Sequence, residues 1–361
     1  MPEAFVALGE EAARGTAEST TVGYIPVKNY NVAKPDYMAK KREEFRGEET
    51  ALGPTTEERW GEKWDGLPLE IPFHTESGVA KGLIGSILKH FFGHVASSQN
   101  GATGQYRHMF SAVADPFDEN ALGAKALTLN MNHMLGLALK NHPHTGGRVK
   151  KLSFKQEPAN PLMMTAEFCG QKRDAAGDPL ASPTFPAANI RCDYNALTVR
   201  QGATVSRTGS APDYTAITSN GTVVKPDSLS LELDFGLEDR QVLDGATSPG
   251  ETSVKQLTGK LSMTFDYRDP SSGFSSVDEL AAWIAAVSST NFLLTWDTGT
   301  QAGTGDNHAF IVDLPACNRL GGNPEFSLIG RSRITLEWDF HYSPTTEYSV
   351  GMLLKNTASA V

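Results

Sequence analysis

Hydrophobic and polar residues alternate in several separate stretches of the chain, and two long regions repeat the same order of elements. In the first region, alternation over Leu67–His74 predicts a strand, and apolar residues at every fourth position predict a helix over Val79–Phe92, closed by Gly93. The alternation then predicts strands near Tyr106–Val113, Leu127–His133, Val149–Gln156 and Leu162–Cys169, with a turn at residues 158–161 between the last two.

The second region repeats this order with stronger alternation. A strand over Leu257–Tyr267 precedes a helix over Ser276–Val287, and further strands follow near Phe292–Trp296, Phe310–Leu314 and Ile334–Tyr342. A capping box over Ser276–Glu279 predicts that Ser276 begins this helix. Its predicted apolar face consists of Val277, Leu280, Ile284 and Val287. The two regions therefore predict one β-rich unit used twice.

The strands of the second region separate apolar from acidic positions. In the longest of them, Ile334, Leu336 and Trp338 alternate with Thr335, Glu337 and Asp339. The same pattern occurs in residues 229–235 and 257–267. Because successive side chains of a strand point to opposite faces, this predicts a sheet with one dry face and one wet, acidic face.

At 361 residues the chain exceeds one typical domain of about 100 to 200 residues, which predicts two domains. We predict β-rich units over residues 64–170 and 226–361, joined by a linker with long loops over residues 171–225. Residues 1–63 have few periodic apolar positions and are predicted to form an extended arm. Aromatic residues along the arm are its candidate anchors, either on a partner or on its own domain: Tyr24, Tyr30, Tyr37, Phe45 and Trp60.

Charge is distributed unevenly along the chain. Residues 225–361 contain 18 Asp/Glu and 9 Lys/Arg, a balance of −9, whereas residues 1–224 contain 24 and 23, a balance of −1. An acidic balance argues against tight binding of nucleic acid, since affinity for phosphates comes from clustered Lys and Arg. The sequence shows neither a secretory signal nor an apolar run of about 18 residues, so we expect folding in a cytosol and no membrane span.

Candidate catalytic and metal-binding motifs are weak. His90 and His94 have the spacing of two ligands on a helix, but the second lies beyond the expected cap at Gly93. Gly245–Gly250 resembles a phosphate loop, yet Glu251 and Thr252 stand where Lys and Ser/Thr are needed. The three cysteines are widely spaced and predict buried free thiols rather than disulfides or a metal site. We therefore expect no enzyme activity and no cofactor.

Several segments resemble the tail tube proteins of long, non-contractile (siphovirus-type) phage tails, in particular those with two tube domains in one chain. These segments are Trp64–Ile71 with the following helix, Tyr106–Phe110, Val149–Phe154 and Leu257–Met263, within a likeness that covers about residues 64–355. The resemblance implies a mainly β fold of two tandem β-sandwich or half-barrel domains, each with one flanking α-helix. It also implies homotrimeric rings of pseudo-sixfold symmetry that stack into a tube.

For a tube protein, the acidic face has a functional interpretation. We expect Glu232, Asp234, Asp266, Glu337 and Asp339 to line the channel, so that double-stranded DNA passes without specific binding and is ejected into the host. The resemblance further implies a location in the virion tail, assembly in the host cytoplasm, and contacts with tape-measure, tail-tip and terminator proteins. Two alternatives remain open: another β-rich virion component, such as an adaptor or decoration protein, and a carbohydrate-binding or carbohydrate-hydrolysing β-protein.

Overall fold

A computed structural model describes most of the chain. The described residues are 4–20, 22–30, 35–41, 57–75, 83–101, 104–112, 125–180, 183, 185, 190–202, 204–240, 251–286, 289–327 and 330–361.

The strands of the first part of the chain, in order, are β1 (Ala4–Glu10), β2 (Val22–Ile25), β3 (Asn29–Tyr30), β4 (Pro35–Lys41), β5 (Glu57–Pro72), β6 (Gly93–Gln99), β7 (Tyr106–Ala112), β8 (Leu127–Leu135), β9 (Ala138–Gln156), β10 (Met163–Gly170), β11 (Lys172–Arg173), β12 (Leu197–Gln201), β13 (Val205–Ser210), β14 (Asp213–Ser219) and β15 (Thr222–Val224). The remaining strands are β16 (Ser228–Asp234), β17 (Glu238–Arg240), β18 (Glu251–Ser253), β19 (Thr258–Asp266), β20 (Ser289–Gly303), β21 (Asp306–Glu325), β22 (Arg333–Phe340) and β23 (Gly351–Asn356). The helices are α1 (Leu83–Phe92) and α2 (Ser276–Ala285), with a short 3-10 helix at Tyr194–Ala196.

All pairings between these strands are antiparallel. The long strand β9 connects two groups of strands. β9 pairs with β8 and β11 through its first half and with β10 and β16 through its second half. From β16 the sheet continues through β19 and β22 to β21, which also pairs with β20 and β23. β23 in turn pairs with β7, and β12 and β15 extend the sheet beyond β20. The mainly β fold class predicted from the sequence is confirmed.

The two predicted units share hydrogen bonds and a core. Leu231 of β16 lies opposite Phe154 of β9, and Leu353 of β23 lies opposite Met109 of β7. These pairings run across the boundaries proposed at residues 170 and 225, and that division of the chain remains a prediction.

Phe310 lies among aromatic rings from both halves of the chain. Its ring centroid is 4.2 Å from that of Phe73, 5.7 Å from that of Phe154 and 5.6 Å from that of Trp296. All four side chains are buried, and the Trp296 indole N–H donates to Gln156 Oε1 at 3.1 Å. The apolar positions of the alternating strands meet here, which explains why those strands form one continuous core.

A second, smaller core covers the opposite side of β21 and its neighbours. The hairpin β13–β14 packs Tyr214 and Ile217 against a group of side chains that includes Leu293, Ile311 and Leu353. The sequence had indicated only a loop-rich stretch around this hairpin. Since both faces of β21 are covered here, residues 308–314 are buried without alternation.

A buried ion pair anchors the same hairpin. Arg207 of β13 donates from Nε and Nη2 to the carboxylate of Asp313 at 2.7 and 3.0 Å. The hydroxyl of Tyr348 donates to Asp313 Oδ2 at 2.5 Å. Asp313 is fully buried, so its charge depends on these two donors.

The two helices differ in burial. α1 is buried at every position except Lys89 and ends at Gly93, whose positive φ of 81° agrees with the predicted cap. In α2 only Ser276 is fully buried, and Ile284 of the predicted apolar face is 70% exposed. Leu280 of the same face packs against the main core, whereas within the described residues no element covers Ile284. Val79 and Val287, at the two predicted helix ends, lie outside the described residues.

Helix α2 begins at Ser276 as predicted, but its N-cap is the preceding residue and not Ser276 of the proposed capping box. Ser275 is the N-cap, and its hydroxyl accepts the Asp278 N–H at 3.0 Å. Ser276 instead donates its hydroxyl to the carbonyl of Asp266 at 2.8 Å and so attaches the helix to the end of β19. Because the Ser276 hydroxyl bonds to β19, Ser275 is the residue whose hydroxyl caps the helix.

Candidate functional site

The predicted acidic residues lie together on one face of three neighbouring strands. Glu232 and Asp234 belong to β16, Asp266 to β19, and Glu337 and Asp339 to β22. β19 pairs with both of the other strands, and the five residues occupy the positions that alternate with the buried core residues. We call this surface, with the basic residues that share it, the polar face.

The strand register places lysines between these carboxylates. Lys260 of β19 lies opposite Glu232 on one side and Asp339 on the other. Lys151 of β9 lies opposite Asp234. Lys155 of β9, opposite Ser230, and Arg333 of β22, opposite Asp266, lie on the same face. The polar face is therefore a sheet of mixed charge in which five carboxylates face four basic side chains: Lys151, Lys155, Lys260 and Arg333.

Three of the five carboxylates are within ion-pair distance of a lysine or arginine side chain. Lys151 Nζ is 3.1 Å from Glu232 Oε2, and Lys260 Nζ is 2.6 Å from Glu337 Oε1. Arg331 Nη1 is 3.1 Å from Asp266 Oδ2. Solvent-exposed pairs of this kind stabilise a protein by about 0 to 1 kcal/mol each. Their larger effect here is to reduce the negative potential of the face without reversing it.

Lys151 contributes to the polar face, although this was not predicted from the sequence. Its alternation with Leu152 and Phe154 already indicates a polar-face position, but β9 belongs to the first half of the chain. Only the pairing of β9 with β16 brings Lys151 beside Glu232.

The aromatic residues of the predicted arm have different surroundings. Tyr24 packs edge-on against Phe5 and Phe185, with ring centroids 5.7 and 6.4 Å apart. Tyr30 and Tyr37 lie on strands that pair with β5, opposite Leu69 and Glu62, and Trp60 is part of β5 itself. Phe45 lies outside the described residues. Whether these aromatics contact a neighbouring ring is not tested and stays a prediction.

Part of the segment predicted as an arm is a buried strand. β1 pairs with β8 from Ala4 to Glu10 and with β2, and its residues 5–9 are buried. Glu11, fully buried, accepts hydrogen bonds from Gly15 N–H, Gly146 N–H and the Thr128 hydroxyl at 2.7 to 2.8 Å. These contacts attach the N-terminal segment to its own chain.

The histidine pair considered in the sequence is separated by the end of α1. His90 is buried in the helix, with its Nε2 3.9 Å from Glu10 Oε2. His94 lies on β6, where its Nε2 is 2.6 Å from Asp213 Oδ1. In the part of the chain that the structure describes, no group of three or more His, Cys, Asp or Glu residues could hold a metal ion. No helix among these residues is long and apolar enough to cross a membrane.

Burial lowers the pKa of five histidines below the ordinary value of 6.5: His74, His90, His108, His142 and His308. At a pH between 6.5 and the lowered pKa of one of these histidines, the unfolded chain binds more protons than the folded chain. We therefore expect the free energy of unfolding to fall as the pH is lowered from 7.5 to 5.5. Urea unfolding of the unassembled chain at several pH values measures this.

Glu11 provides the control for this expectation. Burial raises the pKa of Glu11, so the folded chain holds that proton more tightly and this residue opposes the loss of stability at low pH. The Glu11→Gln variant should therefore lose stability more steeply as the pH is lowered toward 4.5, the ordinary pKa of a glutamate. A wild-type stability that stays constant or increases between pH 7.5 and 5.5 would contradict the expectation for the histidines.

A family model described as phage tail tube protein matches residues 2–340. No curated protein matches the chain.

Proposed function

This chain belongs to the phage tail tube protein family, and from that membership we propose that it forms a tube whose channel is lined by the polar face. A protein of this family is a structural component of the virion tail and assembles with copies of itself. The observation that supports the polar face as the channel wall is the surplus of carboxylates on β16, β19 and β22. The proposed role is structural and not enzymatic.

A weakly acidic wall suits the passage of DNA. Double-stranded DNA carries about one negative charge per 1.7 Å of its axis, so a basic wall would bind it at every step. Carboxylates repel the phosphates, and at physiological salt this repulsion extends only about 8 Å. The lysines of the polar face moderate the repulsion further. The wall then does not bind the DNA, and it does not repel DNA that is still outside the tube.

The repeated order of elements supports a particular ring. If each half of the chain supplies one sixth of a ring, three chains complete it and give pseudo-sixfold symmetry. Stacked rings of this kind would form the tail of a siphovirus-type phage, in contact with tape-measure, tip and terminator proteins and assembled in the host cytoplasm. DNA would pass through the tube during ejection.

Electron microscopy of the purified protein tests the assembly. We expect hollow tubes or stackable rings, and class averages with three chains per ring. Rings that never stack would indicate an adaptor or decoration protein instead. Chains that remain monomeric at all concentrations would contradict the proposal.

Charge reversal tests the channel wall. The Asp234→Lys/Asp339→Lys variant should form normal tubes, because both side chains lie on the solvent side of the sheet, but phage carrying it should release DNA more slowly. Glu238→Lys is the matched control, since Glu238 is an exposed carboxylate on the separate β17–β18 pair. Equal release of DNA by both variants and the wild type would contradict a role for the polar face in the channel.

A further inference from the structure

A short segment after β10, residues 172–180, lies along the β8–β9 hairpin. Its first two residues form β11, which pairs with β9. The Asp174 N–H then donates to the carbonyl of Pro143 at 3.0 Å, and Gly177 exchanges backbone hydrogen bonds with Asn141 at 2.9 and 3.2 Å. None of the residues of this segment is fully buried. We call the segment the strap.

The strap lies over buried amide groups of the hairpin. Asn132 of β8 and Asn141 of β9 are 0% and 4% exposed. Asn132 Oδ1 accepts the Leu180 N–H at 3.0 Å, and Asn141 Nδ2 donates to Asn130 Oδ1 at 2.9 Å. Because the strap has no fully buried apolar side chain and is held by polar contacts, it can open at a lower free energy than the core.

His142 of β9 lies at the start of the strap and is held in its neutral form. Arg173 Nη2 donates to His142 Nδ1 at 3.1 Å. A guanidinium group has no acceptor, so Nδ1 carries no proton and the ring proton lies on Nε2. His142 is 6% exposed, and among the described residues no group forms a hydrogen bond with Nε2. This geometry fits a neutral imidazole and offers no acceptor to a second proton.

Two basic groups lie against the His142 ring. The His133 ring stacks on it, with centroids 4.5 Å apart and planes inclined by 11°. The Arg173 guanidinium lies on the Nδ1 side of the ring. Burial and these two neighbours lower the pKa of His142 below the ordinary value of 6.5.

The carboxylates of the strap are paired with lysines. Asp174 Oδ1 is 2.8 Å from Lys172 Nζ, and Asp178 Oδ1 is 3.6 Å from Lys140 Nζ. The titratable and charged groups around His142, from β5, β8, β9 and the strap, are Glu62, His133, Lys140, His144, Lys172, Arg173, Asp174 and Asp178. Within the described part of the chain, no carboxylate forms an ion pair or a hydrogen bond with the His142 ring. A positive charge on this ring would therefore not be compensated.

We propose that protonation of His142 releases the strap from the β8–β9 hairpin, so that the ring is a pH-sensitive clasp. A proton on Nδ1 removes the acceptor of Arg173 and places a positive charge against the guanidinium group and the His133 ring. The pairing of β11 with β9 is then lost, and Asn132 and Asn141 become accessible to water. Release takes place within one chain and does not depend on tube formation.

Hydrogen exchange of the unassembled wild-type chain between pH 7.5 and 5 tests the release. The open strap leaves His142 with its ordinary pKa, so between pH 6.5 and the lowered pKa of the closed form the open population should rise about tenfold for each pH unit. After correction for the intrinsic effect of pH on exchange, residues 172–180 should lose protection in this proportion. Strand β19, which is paired on both sides, should keep its protection. A strap that is unprotected at pH 7.5, or equally protected at every pH, would overturn the proposal.

The His142→Asn variant tests whether His142 is the group that takes the proton. The Asn oxygen can stand in the place of Nδ1 and accept from Arg173, but it does not titrate, so the strap should stay closed over the whole pH range. His308→Asn is the matched control, because His308 is another buried histidine with a lowered pKa and contacts Thr75 instead. This control should open its strap as the wild type does. A His142→Asn chain that opens like the wild type, or a His308→Asn chain that does not open, would contradict the proposal. The wild-type pH series tests the release even if a variant does not fold.

Discussion

Replacing Phe310 by alanine is expected to lower the free energy of unfolding by about 3 to 5 kcal/mol. The ring of Phe310 is fully buried and contacts aromatic rings from β20 and from both Phe73 and Phe154 of the first half. Removing it leaves a cavity that these large, interlocked rings cannot close without leaving their positions. Because the cavity lies between the two halves, both halves should unfold in the same transition. Urea unfolding below the concentration of assembly measures the loss.

Phe326→Ala is the matched control. Phe326 is 75% exposed and packs edge-on against Tyr267 alone among the described aromatic rings. Its replacement should change the free energy of unfolding by less than about 0.5 kcal/mol. Similar losses for the two variants, or separate transitions for the two halves of the Phe310→Ala chain, would argue against a shared core at Phe310.

The Arg207→Leu variant should lose about 3 to 5 kcal/mol of stability, because it leaves the carboxylate of Asp313 buried without its cation. Asp313 is 0% exposed, and the hydroxyl of Tyr348 would be its remaining side-chain donor among the described residues. Since Arg207 joins the hairpin β13–β14 to β21, the hairpin should also become more accessible. Urea unfolding measures the loss, and hydrogen exchange in residues 205–219 measures the accessibility.

Two further variants show whether burial causes this loss. Arg331→Leu removes an arginine that is 78% exposed from its pair with Asp266, and it should cost less than about 1 kcal/mol. The double variant Arg207→Leu/Asp313→Leu removes both buried charges and should regain part of the stability lost by Arg207→Leu. If Arg207→Leu costs no more than Arg331→Leu, the pair does not stabilise the hairpin.

Strands with one covered face could be predicted from the sequence. The positions 334, 336 and 338 are buried as their alternation indicates, and the turn at residues 158–161 joins β9 to β10 with Ala159 at a φ of 63°. Alternation is a local signal, because one face of such a strand contacts the core and the other contacts water. Where both faces are covered, as in the middle of β21, this signal disappears.

The exposure of Ile284 on helix α2 could not be predicted from the sequence. Its apolar residues at helical spacing correctly predict a helix, but they do not show what covers the apolar side. The same kind of pattern describes α1, which is buried within the chain, and α2, whose Ile284 is exposed. An amphipathic pattern reports that a face avoids water and gives no information on whether its cover comes from the same chain.

The sequence by itself determined the β-rich fold class, the acidic excess of the second half and the five carboxylates that share the polar face. Each of these follows from composition or from the two-residue period of a strand. Only the tertiary structure decided that Lys151 of the first half lies beside Glu232 of the second, that β13–β14 covers a second core, and that Ile284 of α2 is exposed. These features depend on contacts between residues far apart in the chain, and no local pattern encodes such contacts.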